Sequence, residues 1–283
     1  WALVKEYPQL LGDYTWTGWD YIGEAGIGMT TYNCRAEFGA PWPCYLAYCG
    51  DINLIGDRRP VSYFREIVFG LRQEPYIAIQ QPAHYGDRIN CSIWSTEEAV
   101  SSWTWPGFEG KLCRCEVYAD GTSVELFLNG QSLGEKPVER FKALFDLPYA
   151  PGELRAVARW SDGSLREFAL QTASPETHLA LTADRTLLGA DGQDLAFVTA
   201  SVVDDRGILN PAAVKRVQVR VEGAGVLQGI GNADPCSLED FSTPEHDTFE
   251  GRLLAVVRAV SAGEIRVTFE ADGQTWTVAL QAK

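Results

Sequence analysis

Apolar and polar residues alternate over short stretches through most of the chain after residue 81. This period of two is typical of β-strands that bury one face. In the middle of the chain it predicts strands over residues 112–118, 124–128, 154–160 and 168–171. Towards the end it predicts strands over residues 179–182, 196–203, 217–221, 253–260, 264–270 and 276–280. Short strands at this spacing indicate β-sandwiches.

Pairs of Asn or Asp with Gly mark the turns between these strands, because both residues tolerate the positive φ of tight turns. Asp120-Gly121 predicts a hairpin that joins the strands over 112–118 and 124–128. Further turns are predicted at Asn129-Gly130, Asp162-Gly163 and Asp272-Gly273.

The first eighty residues follow a different pattern. Residues 1–10 have helical spacing, residues 11–17 are predicted as a strand, and a loop rich in Gly, Pro and aromatic residues covers 23–57. Over residues 60–71 the apolar positions again have helical spacing, and Pro60 suits a first turn. Helix, strand, long loop and helix in this order are typical of an α/β unit that begins partway. We expect part of the 23–57 loop to be poorly ordered.

These patterns divide the chain into three domains. Residues 1–80 form the α/β part, residues 81–173 a first β-sandwich module and residues 174–283 a second. The linker between the two modules is placed at residues 173–176, where Ser and Pro interrupt the strand pattern.

Composition and charge narrow the classes of partner. The chain has 283 residues, 46% of them hydrophobic, and a net charge of −14. Its surface therefore repels phosphate backbones and anionic lipids, which argues against nucleic-acid and membrane partners. Neutral ligands such as sugars remain compatible with this charge.

The seven cysteines lie at irregular intervals and form no Cys-x-x-Cys pair, so the spacing predicts neither a metal site nor a cofactor. Cys113 and Cys115 are two residues apart in a predicted strand and therefore share a face. Buried free thiols are the preferred interpretation, which favours a reducing compartment and a cytoplasmic rather than secreted protein.

Residues 12–24 combine aromatic and acidic side chains, with two tryptophans, two tyrosines and three carboxylates. On a strand, Tyr14 and Trp16 would point to one face. An indole offers an apolar plate to the C–H face of a sugar and an N–H donor to a hydroxyl. Taken alone, packing in a core or between domains is the more common role for Trp16 and Trp19.

Several motifs in this order carry a resemblance to a known family. Residues 12–24 look like the last barrel strand and following loop of glycoside hydrolase family 2, the β-galactosidase family. Trp42-Pro43, residues 49–56 and residues 60–71 follow in that family's order, and the last of these is similar to the helix that closes its barrel. Residues 103–111 and 120–134 resemble its immunoglobulin-like module, and residues 229–235 its terminal β-sandwich module.

The resemblance implies a mainly β fold, with two immunoglobulin-like β-sandwich modules preceded by a C-terminal remnant of a (β/α)8 barrel. It implies the C-terminal portion of a retaining glycosidase that cleaves terminal β-galactosides, a small carbohydrate substrate. The family's acid/base and nucleophile are two Glu on earlier barrel strands, with carboxyl groups about 5 Å apart. Neither role can be assigned within this chain, so no catalytic residue is expected here and the chain alone should be inactive.

Within the resemblance, Trp16 matches the family's substrate-platform tryptophan and is the one predicted substrate-binding residue. Asp20 and Glu24 are interpreted as carboxylates that order the loop by accepting backbone N–H groups. The modules would brace the barrel or a homo-oligomer. The alternative is a carbohydrate-binding module protein, in which the sandwiches themselves bind sugar.

Two further clusters have competing interpretations. Trp94, Trp103 and Trp105 could form a strip for stacking sugars, but packing beneath the sandwich is favoured. Asn232 and Asp234 could offer oxygen ligands to Ca²⁺, but they lie in a Gly-rich segment where Asn and Asp are ordinary turn residues.

Overall fold

The computed structural model describes residues 1–33, 42–95 and 98–283. The chain forms two compact units, Trp1–Thr172 and Ala173–Lys283. Its helices are α1 (Ala2–Glu6), α2 (Pro60–Val68) and a 3₁₀ turn over Pro82–His84. All other regular structure in these described residues is β-strand, so the mainly β prediction is confirmed.

The first unit contains twelve strands among its described residues. They are β1 (Tyr21–Ile22), β2 (Thr31–Tyr32), β3 (Leu46–Ala47), β4 (Tyr76–Gln80), β5 (Ile89–Asn90), β6 (Ala99–Val100), β7 (Leu112–Tyr118), β8 (Ser123–Leu128), β9 (Gln131–Pro137), β10 (Lys142–Pro148), β11 (Glu153–Arg159) and β12 (Leu165–Gln171). Two four-stranded sheets, ordered β10-β7-β4-β6 and β12-β11-β8-β9, form the sandwich. The pairs β1-β3 and β2-β5 lie outside these sheets.

The sandwich core is built from the alternating inward residues of both sheets. Cys113, Cys115 and Val117 of β7 are fully buried together, which confirms that the two cysteines share a face. Burial raises the pKa of the Cys113 thiol to about 12, so it is a packing group rather than a nucleophile. Trp103 is also fully buried and packs in this core.

Strand β4 is buried on both faces because helix α2 covers the outside of its sheet. Ile77 and Ile79 face the sandwich core. Tyr76 and Ala78 face the other way and pack with Ile67 of α2. This strand lies at the end of the predicted first domain, yet it pairs with β6 and β7 of the sandwich. Residues 1–80 and 81–173 fall within one compact unit, and their division into two domains stays a prediction.

The predicted hairpin at Asp120-Gly121 is wrong. Strand β7 pairs with β10 and β4, whereas β8 pairs with β11 and β9, so this turn passes from one sheet to the other. Thr122 N donates to Arg159 O at 2.7 Å, which fixes the crossing. A Cβ on Gly121 would lie 2.6 Å from the same carbonyl oxygen, so glycine is needed here for a close approach.

The second unit is also a sandwich. Its strands are β13 (His178–Ala183), β14 (Leu187–Leu188), β15 (Leu195–Val203), β16 (Arg216–Gly223), β17 (Gly225–Gly231), β18 (Glu245–Asp247), β19 (Arg252–Ala259), β20 (Gly263–Ala271) and β21 (Gln274–Ala282). The sheets are ordered β13-β15-β19-β17 and β14-β21-β20-β16-β18. One continuous apolar core, which includes Val198, Val257 and Phe269, lies between them.

Three predictions for the first eighty residues need correction or lie outside the described part. Helix α1 covers only Ala2–Glu6 of the predicted 1–10. The predicted strand over 11–17 is wrong: an isolated extended segment needs hydrogen-bonded neighbours, and the structure gives residues 11–15 no ladder. The expected poor order within 23–57 falls partly on 34–41, which lie outside the described residues.

The cysteine prediction is wrong at several positions. Cys44 and Cys236 each take part in a disulfide, and Cys91 carries an exposed thiol outside any disulfide. Cys49, Cys113 and Cys115 are the buried free thiols that were expected. A disulfide needs Cα atoms within about 7 Å, a tertiary proximity that sequence spacing does not reveal. The expectation of a reducing compartment rested on free thiols, and the two disulfide-bonded cysteines do not support it.

Among residues 1–33, 42–95 and 98–283, no helix combines the length and apolar character needed to cross a membrane.

Candidate functional site

The aromatic segment 12–24 is held against residues 49–52 by backbone hydrogen bonds. Trp19 and Ile52 form a parallel bridge, with Asp20 N donating to Ile52 O at 2.9 Å and Ile52 N donating to Gly18 O at 3.1 Å. A Cβ on Gly50 would lie 2.3 Å from Asp20 N, so the two segments approach too closely for any other residue. Parallel pairing is the arrangement of neighbouring barrel strands. The barrel remnant itself stays a prediction.

Asp20 lies at the centre of this contact and is only 3% exposed. Its Oδ1 accepts the Gly50 N–H at 2.7 Å, which confirms the predicted role of ordering the loop. The Nη1 of Arg59 lies 3.6 Å from the same oxygen and also donates to the carbonyl oxygens of Tyr48 and Gly50. Burial raises the pKa of Asp20 from 3.8 to about 6, against the opposing effects of Arg59 and the Gly50 N–H.

Helix α2 is attached to this contact through its first two turns. Arg59 occupies the N-cap position and Pro60 the first turn, where the missing N–H costs nothing. Arg65 on the next turn pairs with Asp51 at 2.6 Å, so the segment after Gly50 is held to the helix by a second ion pair. The helix therefore fixes the loop that supports Asp20.

Trp16 stands on the exposed side of this framework, with 58% of its surface accessible. Its Nε1–H donates to Tyr21 Oη at 3.2 Å, and the two rings meet edge to face with centroids 6.5 Å apart. Tyr21 Oη in turn donates to the carboxylate of Glu24. The relay from Trp16 through Tyr21 to Glu24 fixes the orientation of the indole and leaves a face open. The peptide bond between Trp16 and Thr17 is cis.

Glu24 differs from its predicted role. Its carboxylate accepts the Tyr21 hydroxyl rather than a backbone N–H, and Glu24 itself has a φ of 47°. The sequence motif does not show that the Glu24 carboxylate contacts the Tyr21 hydroxyl three residues earlier. The turn at Glu24 could be inferred from the neighbouring Gly23. The platform role of Trp16 stays a prediction. The structure gives the indole a hydrogen-bonded orientation and an exposed ring.

The tryptophans of the predicted strip are mostly structural. Trp103 is fully buried, and its Nε1–H donates to Ala150 O at 2.9 Å. Trp105 is half-buried, and its Nε1–H donates to Ser102 O at 3.2 Å. The packing interpretation therefore holds for both.

Asn232 and Asp234 act as turn residues. Asn232 Oδ1 accepts Asp234 N at 2.9 Å, and Asp234 Oδ1 accepts Cys236 N at 2.8 Å. Each side chain thus accepts the N–H two residues further on, the bond that defines an Asx-turn. Within the described part of the chain, no group of three or more His, Cys, Asp or Glu is placed to hold a metal ion.

Sequence reasoning missed a second polar cluster in the first unit. Tyr32 stacks on His84 with centroids 3.6 Å apart and an angle of 3° between the rings. Glu98 accepts the Tyr32 hydroxyl at 3.2 Å and the Gln81 side-chain amide at 3.1 Å. Tyr32 and Glu98 are separated by 66 positions, so no local spacing could have indicated the cluster.

Comparisons with known proteins agree with the sequence resemblance. Residues 179–277 match the model described as glycoside hydrolase family 2 C-terminal domain 5. Residues 110–165 match a domain of unknown function, DUF4982. A solved structure of a glycosyl hydrolase family 2 member from Bacteroides cellulosilyticus superposes on the whole chain with a TM-score of 0.91 and 36% identity. Residues 179–277 therefore belong to a C-terminal domain of glycoside hydrolase family 2, and the whole chain is similar to a member of that family.

Two curated relatives extend this family assignment. The chain is 30% identical over 274 residues to the β-galactosidase BoGH2A of Bacteroides ovatus, covering 96% of this chain and 28% of that protein. It is 26% identical to a putative β-glucuronidase of Formosa agariphila, covering 23% of that protein. The solved family 2 structure is covered to 37% of its length. The chain therefore spans between 23% and 37% of the length of these three proteins.

Proposed function

We propose that this chain is the C-terminal part of a retaining glycosidase that cleaves terminal β-galactosides. The observation that carries the proposal is the similarity to a β-galactosidase over 96% of the chain, together with an exposed Trp16 held by Tyr21 and Glu24. The two catalytic carboxylates are assigned to the part of the enzyme outside this chain. Alone, the chain is expected not to hydrolyse glycosides.

In the proposed enzyme, Trp16 forms one wall of the sugar site. Its open face would cover the C–H face of the galactose ring, an apolar contact that needs a fixed indole plane. The hydrogen bond to Tyr21 supplies that constraint, and the buried Asp20–Arg59 contact holds the backbone beneath it. The residues of this chain would thus help to position the substrate, whereas proton transfer would be carried out by groups outside it.

The two sandwich modules are proposed to brace the barrel or a homo-oligomer. The full burial of Trp103 favours this role over a sugar-binding strip, because a buried indole offers no face to a ligand. A carbohydrate-binding function of the isolated modules would instead require an exposed aromatic surface.

The test compares two proteins in hydrolysis of p-nitrophenyl β-D-galactoside. The 283-residue chain should give no rate above buffer, and a longer protein that ends in this chain should give a clear rate. In the longer protein, Trp16→Ala should lower kcat/KM by about tenfold or more, the loss of roughly 1.5 kcal/mol of aromatic contact. Trp16→Phe keeps a ring and serves as the matched control, with a smaller loss.

Two results would contradict the proposal. Hydrolysis by the 283-residue chain alone would place catalytic groups within it. A longer protein that cleaves p-nitrophenyl β-D-glucuronide in preference to the galactoside would replace the proposed substrate class.

A further inference from the structure

The second polar cluster lines a pocket of about 140 Å³ in the first unit. The pair β2-β5 and the 3₁₀ turn over Pro82–His84 form its walls, and Glu98 closes one side. The proposed β-galactosidase function gives this pocket no role. Its side chains are nevertheless fixed by contacts with one another, as a binding site requires.

Glu98 is the acceptor of the pocket. Each of its carboxylate oxygens is held by one donor, Oε2 by the Tyr32 hydroxyl and Oε1 by the Gln81 amide. An ionised carboxylate has about four acceptor positions, so two positions remain for a ligand. Because Tyr32 and Gln81 fix the plane of the group, these positions have defined directions.

His84 is the second polar group with a fixed orientation. Its ring stacks on Tyr32, and Nδ1 lies 2.9 Å from Asp87 Oδ2. Asp87 is itself held by the Asn33 side-chain amide at 2.7 Å. Since Asp87 is an acceptor, it favours the proton on Nδ1, which leaves Nε2 as an acceptor in the neutral ring.

Charge and size select the ligand. Glu98 and Asp87 are carboxylates, and the pocket's Arg114 is paired with Asp146 at 2.9 Å. An anionic ligand would therefore meet two negative charges, whereas hydroxyl groups could donate to Glu98 and His84. A volume of 140 Å³ corresponds to about five water molecules at roughly 30 Å³ each, and is below the 300 Å³ or so of larger ligand sites. The ring of Tyr85 lies at the pocket with 37% of its surface exposed.

From these contacts we propose that the pocket is a carbohydrate subsite, which takes the hydroxyl groups of one neutral hexose unit. Hydroxyls donate to Glu98 and to Nε2 of His84, and the C–H face of the sugar rests on Tyr85. The ligand class rests on the proposed glycosidase function, but the pocket binds without any catalytic step and can be tested on this chain alone.

Histidine NMR signals test the subsite directly, because the chain has three histidines and only His84 lies in the pocket. The 283-residue chain is titrated with methyl β-D-galactopyranoside. The His84 ring signal should shift to saturation, while His178 and His246 in the second unit serve as internal controls. The same titration with D-glucuronate should give a binding constant at least several-fold weaker.

Three variants separate the subsite from the Trp16 platform. Glu98→Gln should weaken binding about tenfold or more, because it converts an acceptor oxygen into a donor. Tyr85→Ala should weaken binding severalfold through loss of the rim contact. Trp16→Ala should leave the shift of the His84 NMR signal on addition of galactoside unchanged. Failure of the platform proposal and failure of the subsite proposal therefore give different results.

The indole N–H signal of Trp103, buried and bonded to Ala150 O, shows whether each variant keeps the sandwich intact. If Glu98→Gln loses that signal, the exposed Tyr85→Ala variant decides. A His84 signal that does not shift, or that drifts linearly together with His178 and His246, would overturn the proposal. Tighter binding of glucuronate than of galactoside would overturn the choice of a neutral sugar.

Discussion

Replacing Asp20 with Asn should change how the stability of the first unit depends on pH. The carboxyl group is 3% exposed, accepts the Gly50 N–H through Oδ1 and has Arg59 at 3.6 Å. Asn keeps the accepting oxygen but cannot ionise. The variant therefore removes the cost of burying a charge while it leaves the bond to Gly50 in place.

The size and sign follow from the pKa of Asp20, which burial raises from 3.8 to about 6. At about 1.4 kcal/mol for each pH unit, this difference corresponds to roughly 3 kcal/mol. Between pH 4 and pH 6 the folded state binds the Asp20 proton more tightly than the unfolded state does. The contribution of Asp20 to the free energy of unfolding is therefore largest below pH 4 and falls as the pH rises through 6. Relative to wild type, Asp20→Asn should gain about 3 kcal/mol between pH 4 and pH 7.

Urea unfolding at a series of pH values, followed by tryptophan fluorescence, measures this difference. Trp276 is the only one of nine tryptophans in the second unit, so the signal reports mainly on the first. Asp162→Asn is the matched control, because bonds from Ser164 lower the pKa of Asp162. The free energy of unfolding of Asp162→Asn, relative to wild type, should therefore fall as the pH rises, opposite to that of Asp20→Asn.

The reasoning would be refuted by a difference between Asp20→Asn and wild type that is the same at pH 4 and pH 7. It would also be refuted if both variants changed in the same direction. The first result would mean that Asp20 titrates alike in the folded and unfolded states, and that burial beside Arg59 does not control its ionisation. The second would mean that the change with pH does not come from the local surroundings of each carboxyl group.

Two further substitutions test the close contacts of the first unit. Gly50→Ala should destabilise it by roughly 1–3 kcal/mol or more in urea unfolding, because the new Cβ would lie 2.3 Å from Asp20 N. Gly18→Ala is the control and should be nearly neutral, because no atom lies within 4 Å of its Cβ. Equal effects of the two substitutions would contradict the close approach at Gly50. Lys142→Met should cost roughly 3–5 kcal/mol, because it leaves the fully buried Glu116 carboxylate without the ammonium group 2.9 Å away. Adding Glu116→Gln should recover part of that loss, and no recovery would show that lost packing of the lysine is responsible.

Many strands of the two sandwiches could be predicted because they bury one face, and burial of one face imposes a period of two on the sequence. The prediction over 112–118 matches β7 in full. Strand β9 was missed because its seven residues are all exposed and carry no such period. Strand β4 is buried on both faces by helix α2 and the core, so it lacks alternation as well.

A turn dipeptide predicted a hairpin correctly only where the two strands on either side of the turn pair with each other. Asn129 and Gly130 both have positive φ, and β8 pairs with β9 across them. At Asp120-Gly121 the same dipeptide signal is present, but Thr122 bonds to Arg159 of the other sheet. A turn dipeptide shows that the chain changes direction. Which strand the following segment pairs with depends on the packing of the two sheets.

By itself, the sequence determined the mainly β fold, the family motifs and the aromatic segment with Trp16, because these depend on periodicity and on residues close together in the chain. Only the tertiary structure decided that Asp20 meets Arg59, that Trp16 is held by Tyr21, and that Tyr32 and Glu98 share a pocket across 66 positions. The physical reason is that burial, ion pairing and pocket shape depend on distances in space. Those distances are set by how sheets and loops pack, which no local pattern of residues records.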